Sequence, residues 1–290
     1  MFPFNLPGPQ FLLFYAVFGA AVVAALYFLR RHVESGPPPP IAPQDPYLFA
    51  CLRGGPKEVV CIATLGLVDR GLLRMDGNVI SRQANVRPEI SRRRIEQEVL
   101  RYFEDKAELF SILKRHSVLS VAADEYEYEL RHHRLIPDAA IDGTRTYLMG
   151  AAIAIVVAVG GMKLMVALGA GRANIWFLVI MMIVWMGVIW KITHPYRTAT
   201  GDSVLASARG MFGGLRERVS SIRPGSGSRE LLWLTSLFGV TALPAAAFPF
   251  VQHFRPKPNA GSGCGSCCGG GGGGGGGCGG GGGGCGGCGS

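Results

Sequence analysis

The sequence predicts an α-helical integral membrane protein with a mainly α cytoplasmic domain, a small winged-helix-like β-hairpin and a disordered Gly/Cys tail. Three observations lead there. Long apolar segments with little or no charge recur along the chain, each long enough to cross a bilayer. The charged stretch between the first two carries helix caps, helical periodicity and one hairpin-turn dipeptide. The chain ends in thirty residues made only of Gly, Cys and Ser.

Composition has to be taken segment by segment. Of 43 glycines and eight cysteines in 290 residues, 21 and six respectively lie from Gly261 onward. The net charge of +9 is also uneven. Between Arg30 and Thr146, 18 Lys/Arg face 17 Asp/Glu, whereas from Lys163 onward 11 basic residues face three acidic ones. A basic surplus beside apolar segments points to membrane orientation before it points to nucleic acid.

Residues 1–30 read as an amino-terminal transmembrane anchor. Gln10 to Leu29 carries no charge, and twenty helical residues span about 30 Å, the thickness of a hydrocarbon core. No Lys or Arg precedes the run and no small-x-small site follows it, so an uncleaved anchor is expected. Residues 31–46 form a Pro-rich, extended linker.

Residues 47–146 read as a cytoplasmic α-rich domain. Asp45 can cap a helix that has Pro46 at its first position; "RGG" ends that helix and Pro56 opens the next. Val59, Val60, Ile62, Leu65 and Leu67 make the second helix mostly buried, and Gly71 stops it. "LLRMDGNVI" predicts two short strands about Asp76-Gly77. Two helices and a wing resemble a winged-helix arrangement. Glu89 to Arg115 predicts one long amphipathic helix through Ile95, Val99, Phe103, Leu109, Phe110 and Leu113, with Arg92–Glu96, Arg94–Glu98 and Arg101–Asp105 paired i, i+4. "YELRHHRLIPD" echoes "LGLVDRGLLRMD", which raises a degenerate tandem of two units. The winged-helix pattern raises DNA binding, and the residues argue against it. The candidate reading helix offers only Lys57, Glu58, Asp69 and Arg70 to meet phosphates and base edges, and the domain is nearly neutral.

Residues 147–190 predict a transmembrane hairpin, Tyr147 to Leu168 and Asn174 to Trp190, with Trp176 and Trp190 near the headgroup level. Lys163 interrupts the earlier helix close to its end, where snorkelling competes with a functional role. Residues 191–230 form a basic loop. Residues 231–251 carry no charge and predict a fourth span, kinked by Pro244 and Pro249. Arg30 and Arg31, with the basic residues between Lys191 and Arg229, assign both regions to the cytoplasm by the positive-inside rule. The expected topology is an outside amino terminus, a cytoplasmic middle domain, and a tail outside if 231–251 spans.

Catalytic and cofactor-binding residues are expected to be absent. His132 and His133 are adjacent and His116 is isolated. "DEYEYE" at Asp124 to Glu129 alternates acidic and aromatic residues, as a solvated edge does. "GAGRAN" at Gly169 lacks the third glycine of a dinucleotide fingerprint and does not follow a strand. Cys51 and Cys61 read as buried small residues.

"DPYLFACLRGGPKEVVCIATLGLVDRGLL", "GMKLMVALGAGR" and "YRTATGDSVLA" resemble an uncharacterised bacterial membrane-protein family. Its members carry an amino-terminal span, a helical cytoplasmic domain, a membrane hairpin and a Gly/Cys-rich end. The resemblance covers most of residues 40–290, implies the bacterial inner membrane and supplies no catalytic residue.

Residues 252–290 read as the disordered tail, for which composition alone predicts a low-complexity extension. Three chemistries stay open for it. Cys264, Cys267, Cys285 and Cys288 have a C-x2-C-x17-C-x2-C zinc spacing, which repeated Gly/Cys units also generate readily. Zinc can supply about 10–16 kcal/mol, enough to clip a floppy loop though not to order every glycine. Disulfides are the second, with Cys268 and Cys278 as further thiols. The third is heterocycle formation, since "GSCCGG" and "GGCGGCGS" resemble precursor peptides whose Cys and Ser are cyclised onto the preceding carbonyl. The expected partners are the lipid bilayer and a protein that meets the domain or the tail. The function expected is a non-enzymatic membrane protein presenting the tail for envelope-associated interaction or cross-linking. The alternatives are a modification substrate or metal handling.

Overall fold

The computed structural model describes residues 8–36, 45–169, 176–218, 229–244, 248 and 250–254. Three helices are long and apolar enough to cross a membrane, over Gln10–Glu34, Ala139–Val166 and Trp176–Thr193. They belong to α1 (Gly8–Glu34), α7 (Ala139–Gly169) and α8 (Trp176–Thr193), which pack as a three-helix bundle. Phe11, Tyr15, Ala152, Val156, Leu178 and Ile189 form its interior. Outward-facing Leu13, Phe28, Ile155, Phe177 and Ile183 leave the rest of its surface apolar, as a lipid-facing surface must be. Tyr15 Oη donates to the Val156 carbonyl at 3.0 Å, which satisfies a buried hydroxyl.

Glycine sets how closely these helices approach. A methyl group at Gly19 would lie 2.3 Å from Trp185 Cε2, and one at Gly160 would lie 2.9 Å from Tyr15 Oη. Small residues at such positions let membrane helices gain dispersion contact where no hydrophobic force drives association.

The domain begins where expected. Asp45 Oδ1 accepts from the Tyr47 amide at 2.9 Å and caps α2 (Pro46–Gly54). Pro56 opens α3 (Pro56–Asp69), and Gly71, at φ +72°, turns the chain out of it. β1 (Leu73–Asp76) and β2 (Val79–Arg82) pair antiparallel across Gly77, with Asp76 opposite Val79. A two-residue strand, β3 (Ala107–Glu108), adds to β2.

The long helix expected over Glu89–Arg115 is broken into parts. A 3-10 turn at Pro88–Ile90 precedes α4 (Arg94–Tyr102); β3 and a second 3-10 turn, Leu109–Lys114, follow. Apolar residues recur on both sides of "EDK", but the chain reverses there to pair with β2. The expected charge pairs change with it. Arg101 meets Glu98, and Glu96 turns inward to Arg70. α5 (His116–Ala122), a π turn at Ala123–Glu127 and α6 (Tyr128–His132) complete this part. Among the described residues no strand follows α6; Leu135 and Ile136 enter the core from a turn made by Arg134 at φ +55°, so the tandem echo is not a structural repeat.

The expected fourth span is corrected. Leu231–Val251 contains α11 (Arg229–Phe238), a turn at Gly239 with φ +93°, a 3-10 turn at Val240–Ala242 and the start of α12 (Val251–Phe254). Ten helical residues reach about 15 Å, half of a hydrocarbon core. Leu231, Leu234, Leu237, Phe248, Val251 and Phe254 are buried in one core with α2, α3 and α9 (Ala199–Met211). The Trp233 ring stacks on Phe212 at 4.8 Å and meets Phe49 at 5.6 Å. Among its described residues, the apolar side chains of this run are covered mainly by protein. The last described residue, Phe254, is buried in this core.

Candidate functional site

The four cysteines with zinc spacing, Cys264, Cys267, Cys285 and Cys288, and their neighbours Cys268 and Cys278, lie outside the described residues. Among the described residues, no group of three or more His, Cys, Asp or Glu side chains is placed to hold a metal. His132 and His133 stack edge to face at 5.5 Å on the surface. "DEYEYE" forms the π turn and the start of α6, with Tyr126 facing the core. Of "GAGRAN", Gly169 ends α7 and the rest is outside the described residues. Lys163 lies with its ammonium 4.8 Å from the Phe11 ring centre, against the opposite end of α1 from the domain.

α3 is buried around most of its circumference, including Glu58, Thr64 and Asp69. It is a core helix and presents no broad face to a partner. Cys51 and Cys61 are buried on α2 and α3, as expected. Burial pushes the Cys51 thiol up to about 12, and its Sγ lies 3.8 Å from Tyr196 Oη. Such a thiol is not a nucleophile at neutral pH.

Two polar networks hold the domain. In the first, Glu96 Oε1 accepts from Tyr47 Oη at 2.6 Å, while Oε2 meets Arg70 at 2.6 Å and accepts from Ser91 Oγ. Burial, the largest influence, pushes the Glu96 carboxyl up, but the Ser91, Tyr47 and Arg70 contacts outweigh it and hold the group below its ordinary 4.5. In the second, Arg53 pairs with Glu58 and donates to the Thr235 carbonyl at 2.8 Å.

A third network lies where the bundle meets the domain, and it involves all three membrane helices. Glu34, the last residue of α1, is buried. Its Oε1 accepts from Arg145 Nε at 2.7 Å, and its Oε2 accepts from the Ala199 amide at the start of α9 at 3.1 Å. Arg145, one turn and a half into α7, also donates to the carbonyls of Pro195 at 3.0 Å and Arg197 at 3.2 Å, just past α8. Arg30 donates to the Ile192 carbonyl at the end of α8. Thr200 Oγ1 donates to the Glu34 carbonyl at 3.0 Å and accepts from the Gly36 amide at 3.2 Å. Charges of opposite sign at the ends of two apolar runs were the sequence signal for this knot. Their pairing joins positions 111 residues apart and is visible only in the fold.

The knot can anchor and orient. It holds no nucleophile beside a base, so it offers no hydrolytic or transfer chemistry of the kind such pairs perform. Compared with protein-family models, curated proteins and solved structures, the chain matches none.

Proposed function

We propose that this protein is a bacterial inner-membrane anchor with a non-enzymatic role, which holds a Gly/Cys tail beside a helical cytoplasmic domain and presents it to a partner. The observation that carries this reading is the burial of Phe248, Val251 and Phe254 in the domain core. It supports a tail that continues from the domain. Arg30 and Arg31 at the end of α1, Lys191 in the last turn of α8, and Arg197 and Arg209 after it give the domain end of the bundle its positive charge. The positive-inside rule then puts domain and tail in the cytoplasm and the start of α1 outside.

The test is thiol labelling of intact cells with a membrane-impermeant maleimide. Tail cysteines stay unlabelled in intact cells and become labelled on permeabilisation without added reductant. Labelling in intact cells overturns the assignment.

The tail's position favours a second reading over envelope cross-linking. A reducing compartment keeps thiols free, which suits metal binding by Cys264, Cys267, Cys285 and Cys288 or cyclisation by a modifying enzyme. Intact-mass analysis separates these. A loss of about 20 Da per ring marks cyclisation and about 2 Da per bridge marks a disulfide, by the bookkeeping of cysteine oxidation. Zinc is read as thiols that resist alkylation until a chelator is added.

A further inference from the structure

We propose that β1 is a self-pairing edge, through which a second copy of this chain adds its own β1 in antiparallel register centred on Met75. The sheet order is β1-β2-β3, so β1 is an outer strand and, among the described residues, no strand pairs with its far side. Gly71 before it and Gly77 and Asn78 after it are exposed, so both ends of the strand are open to solvent.

Backbone direction is the first argument. In an antiparallel pair, successive residues turn their N–H and C=O groups alternately toward the partner and away from it. The Leu72 carbonyl accepts from the Gln83 amide at 3.3 Å, while the amide of Arg82, which stands opposite Leu73, turns away to the Phe103 carbonyl at 2.7 Å. By this alternation Arg74 and Asp76 bond to β2, and Leu73 and Met75 direct their backbone groups outward. Such an outward row is a template for another strand.

Charge complementarity is the second argument, and it names the occupant. The side chains of Arg74 and Asp76 are 71% and 66% exposed, on one face of the strand and two residues apart. Their contact within the strand, 3.4 Å at the surface, is worth little by itself. Charged side chains on an edge guard against indiscriminate pairing. Here the two signs admit a copy of the same strand in one register. Two-fold pairing centred on Arg74 or on Asp76 sets like charges directly opposite, and pairing centred on Leu73 sets Arg74 against Leu72. Centred on Met75, it sets Arg74 opposite Asp76 of the second copy, and does so twice. These are non-hydrogen-bonded positions, with Cα atoms about 4.5 Å apart, where cross-strand side chains come closest. The Met75 residues exchange their outward hydrogen bonds, and their half-buried side chains meet on the core side of the seam. One surface patch serves both partners, as a two-fold dimer requires.

The experiment is disulfide trapping in membranes from cells that express two full chains with tags of different size. In both chains the tail cysteines Cys264, Cys267, Cys268, Cys278, Cys285 and Cys288 are replaced by serine; the buried Cys51 and Cys61 stay. One chain carries Arg74→Cys and the other Asp76→Cys, which leaves one Arg74–Asp76 pair across the seam intact. Mild oxidation is expected to give the mixed dimer in at least about fivefold excess over either dimer of like chains, whose cysteines sit diagonally about 7–8 Å apart. Equal yields of mixed and like dimers, or no dimer, overturn the proposal. Charge reversal gives an independent reading, by co-capture of one tag with the other under reductant and chelator. Arg74→Asp in both chains, or Asp76→Arg in both, lowers co-capture about tenfold, because like charges then face each other twice. One chain of each kind restores it. Co-capture unchanged by either reversal moves the contact away from β1, and failure of the mixed pair to recover overturns the register; both outcomes sink the proposal.

Discussion

Arg53 Nη1 donates to the Thr235 carbonyl at 2.8 Å and so joins α2 to α11 across 182 residues. The same guanidinium pairs with Glu58 in the core. The carboxy-terminal segment is thus a structural part of the domain, fastened by a charge that has no route to solvent.

Arg53→Met removes that fastening and leaves Glu58 buried without its cation. Removing one partner of a buried pair costs about 3–5 kcal/mol. The expected outcome is a lowered thermal midpoint, with proteolysis between the domain and the tail appearing first. Unchanged protease resistance would contradict the assignment.

Phe254→Ala opens a cavity at the point where the tail leaves the core. The expected loss is about 3–5 kcal/mol, typical of a buried phenylalanine, read from denaturant unfolding of the full chain in detergent. A lipid-facing residue at the end of a fourth span would show almost no change.

Gly19→Ala places a methyl group 2.3 Å from the Trp185 ring, which is held between helices and cannot swing away cheaply. The expected cost is about 1–3 kcal/mol in an SDS titration followed by tryptophan fluorescence. Gly187→Ala meets no atom within 4 Å and is expected to change stability by no more than about 0.5 kcal/mol.

Glu96 makes stability depend on acid. Its folded pKa lies below the ordinary 4.5, so the unfolded chain binds the proton more tightly. The stabilisation is complete above the ordinary carboxylate range and is lost as pH falls through 4.5 toward the lowered folded value. Glu96→Gln costs about 1.5–3 kcal/mol at neutral pH, the worth of hydrogen bonds to a charged group. The variant's denaturation midpoint then declines less steeply than the parent's in acid. Parallel declines would remove Glu96 from the account.

Cys51, its thiol raised to about 12, is expected to escape alkylation in the folded protein at mildly alkaline pH and to react only in denaturant. Peptide mapping after N-ethylmaleimide checks this. Rapid labelling of Cys51 would mean that α2 opens toward Tyr196.

Local chemistry was legible in the sequence. Asp45 and Pro46 start a helix, Pro56 starts the next, and Asp76-Gly77 turns a hairpin, because each acts through its own backbone. The three helices long and apolar enough to cross a membrane were legible because hydrocarbon thickness sets the length to look for. Leu231–Val251 was not. Hydropathy reports that a segment avoids water and says nothing of whether lipid or protein covers it. Gly239 at φ +93° and the pocket around Phe254 are decided by contacts with residues almost 200 positions away. The Glu34–Arg145 pair was hidden for the same reason. Each side chain looks like an ordinary flanking charge until α1 and α7 lie side by side.

Glu34 also fixes how the domain stands. Its carboxylate and carbonyl are held at once from α7 and from the first turn of α9, while Arg145 grips the chain beyond α8. Sliding or rotating α1 by one residue would break all of these bonds together. The joint is stiff, and the domain inherits the tilt of the bundle as a signboard inherits the lean of its post. Any tilt of the three-helix bundle is then passed to the domain, and Phe254 swings through the same angle.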